Sequence, residues 1–154
     1  MQLSDILSTD GIVVSLSATS KKQALREIAG VAAEATGLPA RDIFETLLQR
    51  ERLGSTGLGR GIAIPHGKMP GLDRLYGVFA RLESPINFDA NDDQPVDLIF
   101  LLLAPEGAGA DHLKALARVS RLFRDPGIIS QLRGTDDKAV LFSILTEPMA
   151  SHAA

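Results

Sequence analysis

The feature that most constrains the fold is an uninterrupted apolar run over residues 98–104. None of its seven residues is polar, so a strand formed by this run has to be covered on both faces. A strand of this kind lies in the middle of a sheet and has helices packed above and below it. The run therefore predicts a layered fold with this strand at its centre.

Helical and extended patterns alternate along the rest of the chain. Ser20 and Gln23 have the spacing of a capping box, an apolar stripe follows them, and Gly37 ends the pattern. We predict helices over residues 19–37 and 39–52, from 111 to 123, from 126 to 134, and a last one that Thr135 caps and Pro148 ends. We predict strands over residues 12–16, 61–64, 75–82 and 96–103.

One domain accounts for the whole pattern. The chain has 154 residues, the length of a single domain, and its 45% hydrophobic and 23% charged residues are typical of a globular protein. Helices that alternate with strands predict an α/β fold, arranged as a three-layer sandwich. We place the domain at residues 1–148 and expect a frayed tail at 149–154.

The composition excludes several classes of function. A formal charge of −3 argues against a nucleic-acid partner, because such a protein presents a basic surface to the phosphates. The absence of cysteine excludes disulfides and thiolate metal sites. The N-terminus lacks the basic start and long apolar run of a signal peptide, and residues 98–104 are too few to span a bilayer. We expect a soluble, cytoplasmic protein without direct membrane insertion.

The most unusual segment is RERLGSTGLGRGIAIPHGK, residues 50–68. Its glycines let backbone N–H groups approach an anion closely, and Ser55 and Thr56 add hydroxyl groups. Pro65 restricts the backbone before His66, and Gly67 leaves no Cβ behind it, so the imidazole could lie exposed at the end of a strand. The segment is therefore either a reactive-histidine site or a glycine-rich turn with a hydrogen-bonded loop histidine.

Three further residues have to be weighed individually. His112 lies in the opening turn of a predicted helix, where the helix dipole disfavours a protonated ring; taken alone, it could also be a solvent-facing residue. Arg50 emerges from the buried face of its helix near the C-terminal end. There it either complements the helix dipole or binds a phosphate through two N–H groups. His152, in the tail, is assigned no role.

Other binding motifs fail on spacing. The glycines before Pro65 are followed by a strand and not by a helix, which argues against a dinucleotide fingerprint, and the sequence has no GxxxxGK[ST] or GxSxG motif. Three histidines without cysteine do not make a convincing zinc site. We expect no metal and no cofactor. An acidic group that lacks the spacing of a calcium loop comprises Glu83, Asp89, Asp92, Asp93 and Asp97.

Three blocks, in this order, resemble the enzyme IIA proteins of the mannitol/fructose class of bacterial phosphotransferase systems, and among them the nitrogen-regulatory branch. The blocks are RERLGSTGLGRGIAIPHGK, LESPINFDANDDQPVDLIFLLLAP and ADHLKALARVSRLF. The likeness covers residues 3–145. It implies a single type 2 enzyme IIA domain with a mixed central β-sheet flanked by helices on both faces.

The resemblance also implies a phosphoryl carrier, with protein-to-protein transfer through a phosphohistidine. His66 is implied to accept the phosphoryl group from an HPr-like phosphocarrier, His112 to orient the ring or the phosphoryl group, and Arg50 to stabilise its charge. Because attack requires a neutral His66, we expect transfer to weaken as the pH falls towards about 5.

The loop before the histidine is expected to bind the phosphoryl oxygens. Backbone N–H groups around Ser55, Thr56 and Gly57 are the expected donors. Arg60 stands where relatives carry a small polar residue. It is either surface variation or a further positive charge beside the phosphoryl group.

The resemblance finally implies a regulator whose phosphorylation state reports nitrogen or energy supply. Its partners would then be regulatory targets such as transporters or sensor kinases. Two alternatives remain open. One is a binding module that acts independently of phosphorylation, and the other is a sugar-specific enzyme IIA that works with separate B and C proteins.

Overall fold

A computed structural model describes residues 2–147 of the chain. The expected tail at 149–154, with His152, and the expected helix stop at Pro148 lie outside the described residues. Two short 3-10 turns, Leu3–Asp5 and Thr9–Gly11, come first. The helices are α1 (Lys21–Thr36), α2 (Ala40–Arg52), α3 (Ala110–Leu122), α4 (Pro126–Arg133) and α5 (Lys138–Thr146). The strands are β1 (Ile12–Leu16), β2 (Gly57–Gly59), β3 (Ile62–Ala63), β4 (His66–Met69), β5 (Tyr76–Ile86) and β6 (Val96–Pro105).

The six strands form one mixed sheet, which confirms the predicted fold class. Their order is β1-β5-β6-β3-β2, and β4 also pairs with β6. β5 runs antiparallel to β6, whereas β3 and β4 run parallel to it and β1 runs parallel to β5. β3 and β4 pair one after the other with the same side of β6, and residues 64–65 join the two strands.

The apolar run in β6 contributes to two separate cores. Leu98, Phe100 and Leu102 pack with residues of α3, α4 and α5 on one face of the sheet. Ile99 and Leu101 pack with residues of α1 and α2 on the other face. This alternation is the reason that the run has no polar residue, and it confirms the three-layer arrangement. Within residues 2–147, the structure contains no helix that is long and apolar enough to cross a membrane.

Most helix ends follow the expected capping residues. Ser20 Oγ accepts from the N–H of Gln23 at 3.1 Å, and Gly37 ends α1 in the left-handed conformation. The Gln23 side chain, however, accepts from the N–H of Thr19 at 2.8 Å, one residue before the partner that a full capping box uses.

The prediction that Thr135 caps the last helix is wrong. The Asp137 carboxylate accepts from the N–H of Val140 at 3.1 Å, and α5 begins at Lys138. Thr135 Oγ1 accepts instead from the N–H of Asp137 at 3.1 Å, which positions that cap. Asp137, which was not predicted as a cap from the sequence, is the N-cap residue, and aspartate is slightly better than threonine in this position.

Two strands were not expected from the sequence. β2 and β4 are short and contain glycine, which has a low intrinsic preference for strands. Pro65 separates β4 from β3, but its carbonyl still accepts from the N–H of Leu102 at 3.0 Å. The expected strand over 61–64 is therefore the first part of a longer extended segment that pairs with β6, and His66 opens its second part.

Candidate functional site

The site lies where α2 packs against β4 at the edge of the sheet. A Cβ atom at Gly67 would lie 2.6 Å from Cγ2 of Thr46, so only glycine lets the helix come this close to the strand. The approach brings the C-terminal half of α2 beside the start of β4. An open cleft of about 490 Å³ follows, and it is lined by Thr46, Gln49, Arg50, Leu53, His66, Gly67, Lys68 and His112.

The His66 ring is held in one orientation by its own backbone. Nδ1 lies 2.8 Å from the carbonyl oxygen of Ile64. Because a carbonyl only accepts hydrogen bonds, we assign the proton of the neutral ring to Nδ1. Nε2 then keeps its lone pair. The ring is half-buried, so it is desolvated on one side while it still lines the cleft.

His112 reaches the same cleft from the opposite face of the sheet. It lies in the first turn of α3, and it is only 7% exposed, so the structure does not support the solvent-facing interpretation. The His66 and His112 rings meet edge to face with their centroids 5.7 Å apart. Nε2 of His112 is buried without a hydrogen-bond partner among residues 2–147. An unpartnered buried polar atom costs about 1–3 kcal/mol, and a ligand that pairs with it removes that cost.

Both imidazoles favour the neutral form. Burial lowers the pKa of His66, and the Arg50 guanidinium lowers it further, whereas the hydrogen bond to Ile64 and the Glu51 carboxylate raise it. Burial also lowers the pKa of His112, and the positive charges that His66 and Lys68 can carry act in the same direction. At neutral pH, the lowered pKa values favour the uncharged form of both rings.

Arg50 provides the cationic wall of the cleft. Its Nη1 donates to the carbonyl oxygen of Gly54 at 2.8 Å, which folds the guanidinium back over the end of α2. This bond uses one of the five N–H donors of the side chain. Arg50 thus lies in the last turn of α2, where its charge complements the helix dipole, and it also lines the cleft that contains His66.

The hydroxyl groups of the preceding loop point to structural partners. Ser55 Oγ donates to the carbonyl of Phe88 at 2.8 Å. Thr56 is buried, and its backbone N–H donates to the Glu51 carboxylate at 3.0 Å, as does its hydroxyl. The same carboxylate forms an ion pair with Lys21 at 2.9 Å. These bonds hold the loop in place, and neither hydroxyl lines the cleft.

Gly57 and Arg60 also lie outside the His66 cleft. A Cβ at Gly57 would lie 2.7 Å from the Cβ of Ala90, so this glycine serves close packing of the loop. Arg60 has a φ of 60°, and its backbone N–H donates to Asp92 at 3.0 Å. Its side chain contacts the carbonyl of Arg124 at 3.4 Å in a separate cleft. The structure thus brings together Arg50, His66 and His112, and it places Ser55, Thr56, Gly57 and Arg60 elsewhere.

Comparison with known proteins assigns the family. Residues 5–147 match the model of the family described as phosphoenolpyruvate-dependent sugar phosphotransferase system, EIIA 2. The chain belongs to this family. It is 55% identical over 153 residues to a nitrogen regulatory protein of Bradyrhizobium diazoefficiens, an alignment that covers 99% of this chain and 100% of the relative. The resemblance found in the sequence is thereby confirmed.

Solved structures agree with this assignment. The crystal structure of the nitrogen regulatory protein IIA-Ntr from Neisseria meningitidis superposes with a TM-score of 0.89 at 39% identity, covering 94% of this chain and 99% of that one. The mannitol enzyme IIA of Escherichia coli, solved in complex with phosphorylated enzyme IIBMTL, has a TM-score of 0.78 at 20% identity. That alignment covers 92% of this chain and 98% of the mannitol protein, and it supports the shared fold.

The cleft of this enzyme IIA domain contains residues that the sequence did not single out. Thr46, Gln49 and Leu53 lie on the same side of α2 as Arg50, and their helical spacing from it was available as a signal. Lys68 follows His66 by two residues, so both side chains project from the same face of β4. The two-residue spacing of His66 and Lys68 indicates a shared face only in a strand, and β4 was not predicted from the sequence.

Proposed function

We propose that this enzyme IIA domain accepts a phosphoryl group on Nε2 of His66 from the phosphohistidine of an HPr-like phosphocarrier. One observation carries the proposal. A single cleft contains a ring whose Nδ1 is bound to the Ile64 carbonyl, a second imidazole with an unpartnered Nε2, and a guanidinium. Membership of a phosphotransferase family supports this chemistry.

The transfer step exchanges one nitrogen–phosphorus bond for another. The lone pair on Nε2 of His66 attacks phosphorus, the bond from phosphorus to the donor ring breaks, and its electron pair returns to the donor nitrogen. Nδ1 keeps its proton throughout, and the Ile64 carbonyl stabilises the positive charge that the His66 ring gains. Reactant and product are both phosphohistidines, so the exchange is readily reversible and uses no metal or nucleotide.

The cleft stabilises the transferred group by position and charge. The transition state of phosphoryl transfer is loose and carries negative charge on three equatorial oxygens. Arg50 donates from the N–H groups that its bond to Gly54 leaves free, and Nε2–H of His112 donates from the other side. Preorganised donors of this kind contribute about 2.7–4 kcal/mol each to catalysis.

The loop at residues 55–60 has an indirect role in this proposal. Ser55, Thr56 and Gly57 shape the wall of the cleft through their bonds and packing, and the phosphoryl oxygens are bound mainly by Arg50 and His112. Arg60 is surface variation on a different cleft. Its charge therefore has little effect on the transfer equilibrium.

We propose a regulatory role for the phosphorylated form. Phosphorylation of a hydroxyl residue adds about −1.5 to −2 charge, and a similar increment at His66 would largely neutralise the positive charge of a cleft edged by Arg50 and Lys68. Such a change can switch the affinity for protein targets such as transporters or sensor kinases. Full-length alignment with nitrogen regulatory proteins favours a signal of nitrogen or energy status over a sugar-specific role with separate B and C proteins.

The chemistry is tested by incubation with phosphoenolpyruvate, enzyme I and an HPr-like carrier, followed by intact mass measurement. The expected result is a gain of one phosphoryl group that is labile in acid and absent in His66→Ala. His152→Ala is the matched control, and it should be modified like the wild type. If the wild type stays unmodified with every charged carrier of its own cell, the proposal is wrong, and a phosphorylation-independent module becomes the better description.

The regulatory role has a separate test. Binding of candidate transporters and sensor kinases is compared between wild type and His66→Ala, each with and without the phosphorylating system. A shift in affinity only for the wild type supports the switch. Identical responses of the two proteins remove His66 from it.

A further inference from the structure

A large groove lies on the side of the sheet that ends in β1. It has a volume of about 790 Å³ and is lined by β1, by α1 and by the first residue of α5. It shares no lining residue with the His66 cleft. The groove is therefore distinct from the His66 cleft.

β1 is an edge strand, and the register of its pairing with β5 shifts between Val13 and Leu16. It lacks the charged residues and the proline that protect many edge strands. In the sheet order of residues 2–147, β1 is terminal and pairs with β5. Its sequence, IVVSL, contains no charge, no proline and no glycine. Edge strands normally carry such residues, because their unpaired N–H and C=O groups otherwise accept another strand. At the opposite side of the sheet, β2 and β4 have glycines or Lys68.

The wall formed by α1 leaves room for an incoming backbone. Gly30 lies in the interior of α1, where glycine is less favourable for a helix than alanine. A Cβ atom at Gly30 would have no neighbour within 4 Å, so packing inside the domain does not require glycine there. Val13 and Val31, on the α1 side of β1, and Val14, on the α5 side, are only half-buried and supply apolar surface. The groove is thus open, apolar at its base and flanked by free backbone groups.

The rim of the groove selects the charge of its occupant. Asp10, Glu27 and Glu34 line it, against one positive residue, Lys138. Glu83 accepts from a serine hydroxyl of β1 at 3.2 Å and adds a further negative charge at the strand. A second copy of this chain would bring another acidic rim, which would repel the first. A basic strand meets complementary charge.

We propose that this β1 groove binds an extended segment of a partner protein in which lysine or arginine alternates with aliphatic residues. The segment adds to the sheet as a strand beside β1, in the β-augmentation mode. Its aliphatic side chains face the α5 side of β1 and contact Val14, and its basic side chains face α1 and reach Glu27 and Glu34. The alternation follows from the two-residue period of a strand.

The test uses a short capped peptide in which valine and lysine alternate, titrated into the full chain and followed by two-dimensional amide NMR at low salt. Saturable shifts of the Ile12–Leu16 and Gly30 amides, with a Kd of about 1 mM or tighter, are expected. Two matched peptides serve as controls: one has glutamate in place of lysine, and the other has methylated backbone nitrogens that cannot pair with β1. Both should bind at least about tenfold more weakly.

Variants of the groove make the test specific. Glu27→Lys/Glu34→Lys should weaken the lysine peptide about tenfold and allow the glutamate peptide to bind. The same charge change outside the groove, Asp42→Lys/Glu106→Lys, should leave both affinities unchanged. Gly30→Leu should block the peptide while the melting temperature stays equal or rises, because the added side chain meets open space.

Several results would overturn the proposal. The first is the absence of any saturable shift with the lysine peptide. The second is that the methylated peptide binds as tightly as the unmodified one. The third is that the shifted amides lie away from β1. Concentration-dependent changes of the Ile12–Leu16 amides without any peptide would assign the groove to a second copy of the chain. Loss of His66 phosphorylation alters none of these readouts, so the two proposals fail independently.

Discussion

Gly67 is the position at which a single methyl group should disturb both the fold and the site. In Gly67→Ala the new Cβ would lie 2.6 Å from Thr46 Cγ2, whereas two carbon atoms in contact are normally about 3.5–4.0 Å apart. α2 and β4 must therefore separate by about 1 Å at this point. Overpacking of this kind lowers the free energy of unfolding by about 1–3 kcal/mol. Replacing glycine by alanine also reduces the entropy of the unfolded chain, which raises that free energy by about 0.4–1 kcal/mol. We expect a net loss of about 1–2 kcal/mol in the free energy of unfolding.

The same displacement should slow the chemistry. Arg50 is carried by α2 and His66 by β4, so the separation moves the guanidinium relative to the nucleophile. A misplacement of about 1 Å can reduce a rate by about 10²-fold. We expect phosphorylation of Gly67→Ala by a charged HPr-like carrier to be slower by about 10- to 100-fold, measured by rapid quench and intact mass.

The double variant Gly67→Ala/Thr46→Ser is the decisive control. It removes the Cγ2 methyl group that causes the clash and keeps the hydroxyl group. In urea denaturation, its free energy of unfolding should lie within about 0.5 kcal/mol of that of Thr46→Ser alone. Its phosphorylation rate should lie within about threefold of the rate of Thr46→Ser. The steric argument is refuted if Gly67→Ala lowers the free energy of unfolding as much in the Thr46→Ser background as in the wild type. It is also refuted if Gly67→Ala leaves that free energy unchanged in both backgrounds.

Three further predictions concern the charged groups. Because burial and then Arg50 lower the pKa of His66, the phosphorylation rate should stay constant down to pH values below about 6.5 and fall towards about pH 5; a rate that rises on acidification would contradict this. His112→Ala should lower the rate by about 10²–10³-fold with little loss of stability, and His112→Gln should recover part of it; equal rates for all three proteins would exclude a donor role. Glu51→Gln should destabilise the domain by about 3 kcal/mol in urea denaturation at neutral pH, because it leaves Lys21 beside a neutral buried partner; a loss below about 1 kcal/mol would show that this ion pair contributes little.

Local sequence signals were sufficient for most of the fold. The bounds of β1 match the predicted strand, and the apolar run predicted a central strand whose alternate residues serve two cores. Ser20 and Gly37 mark the ends of α1 through bonds within a few residues of the chain. Such elements depend on periodicity and on local capping, and both involve only residues that are close together in the sequence.

The remaining elements depend on partners that are distant in the chain. β4 is a strand because its backbone pairs with β6, and nothing in the four residues His66–Met69 requires it. These contacts contribute their free energy only after the chain has folded, so local patterns do not report them.

The candidate site divides in the same way. The sequence by itself marked His66, Arg50 and His112 as candidates, but it left a structural alternative open for each of them, and their chemical roles were implied by the family resemblance. Only the tertiary structure decided that the three share one cleft, and that Ser55 and Thr56 turn away from it. The direction of a loop side chain is set by the strongest partner within reach. Here those partners are the Phe88 carbonyl and the buried Glu51 carboxylate, which folding brings to the loop.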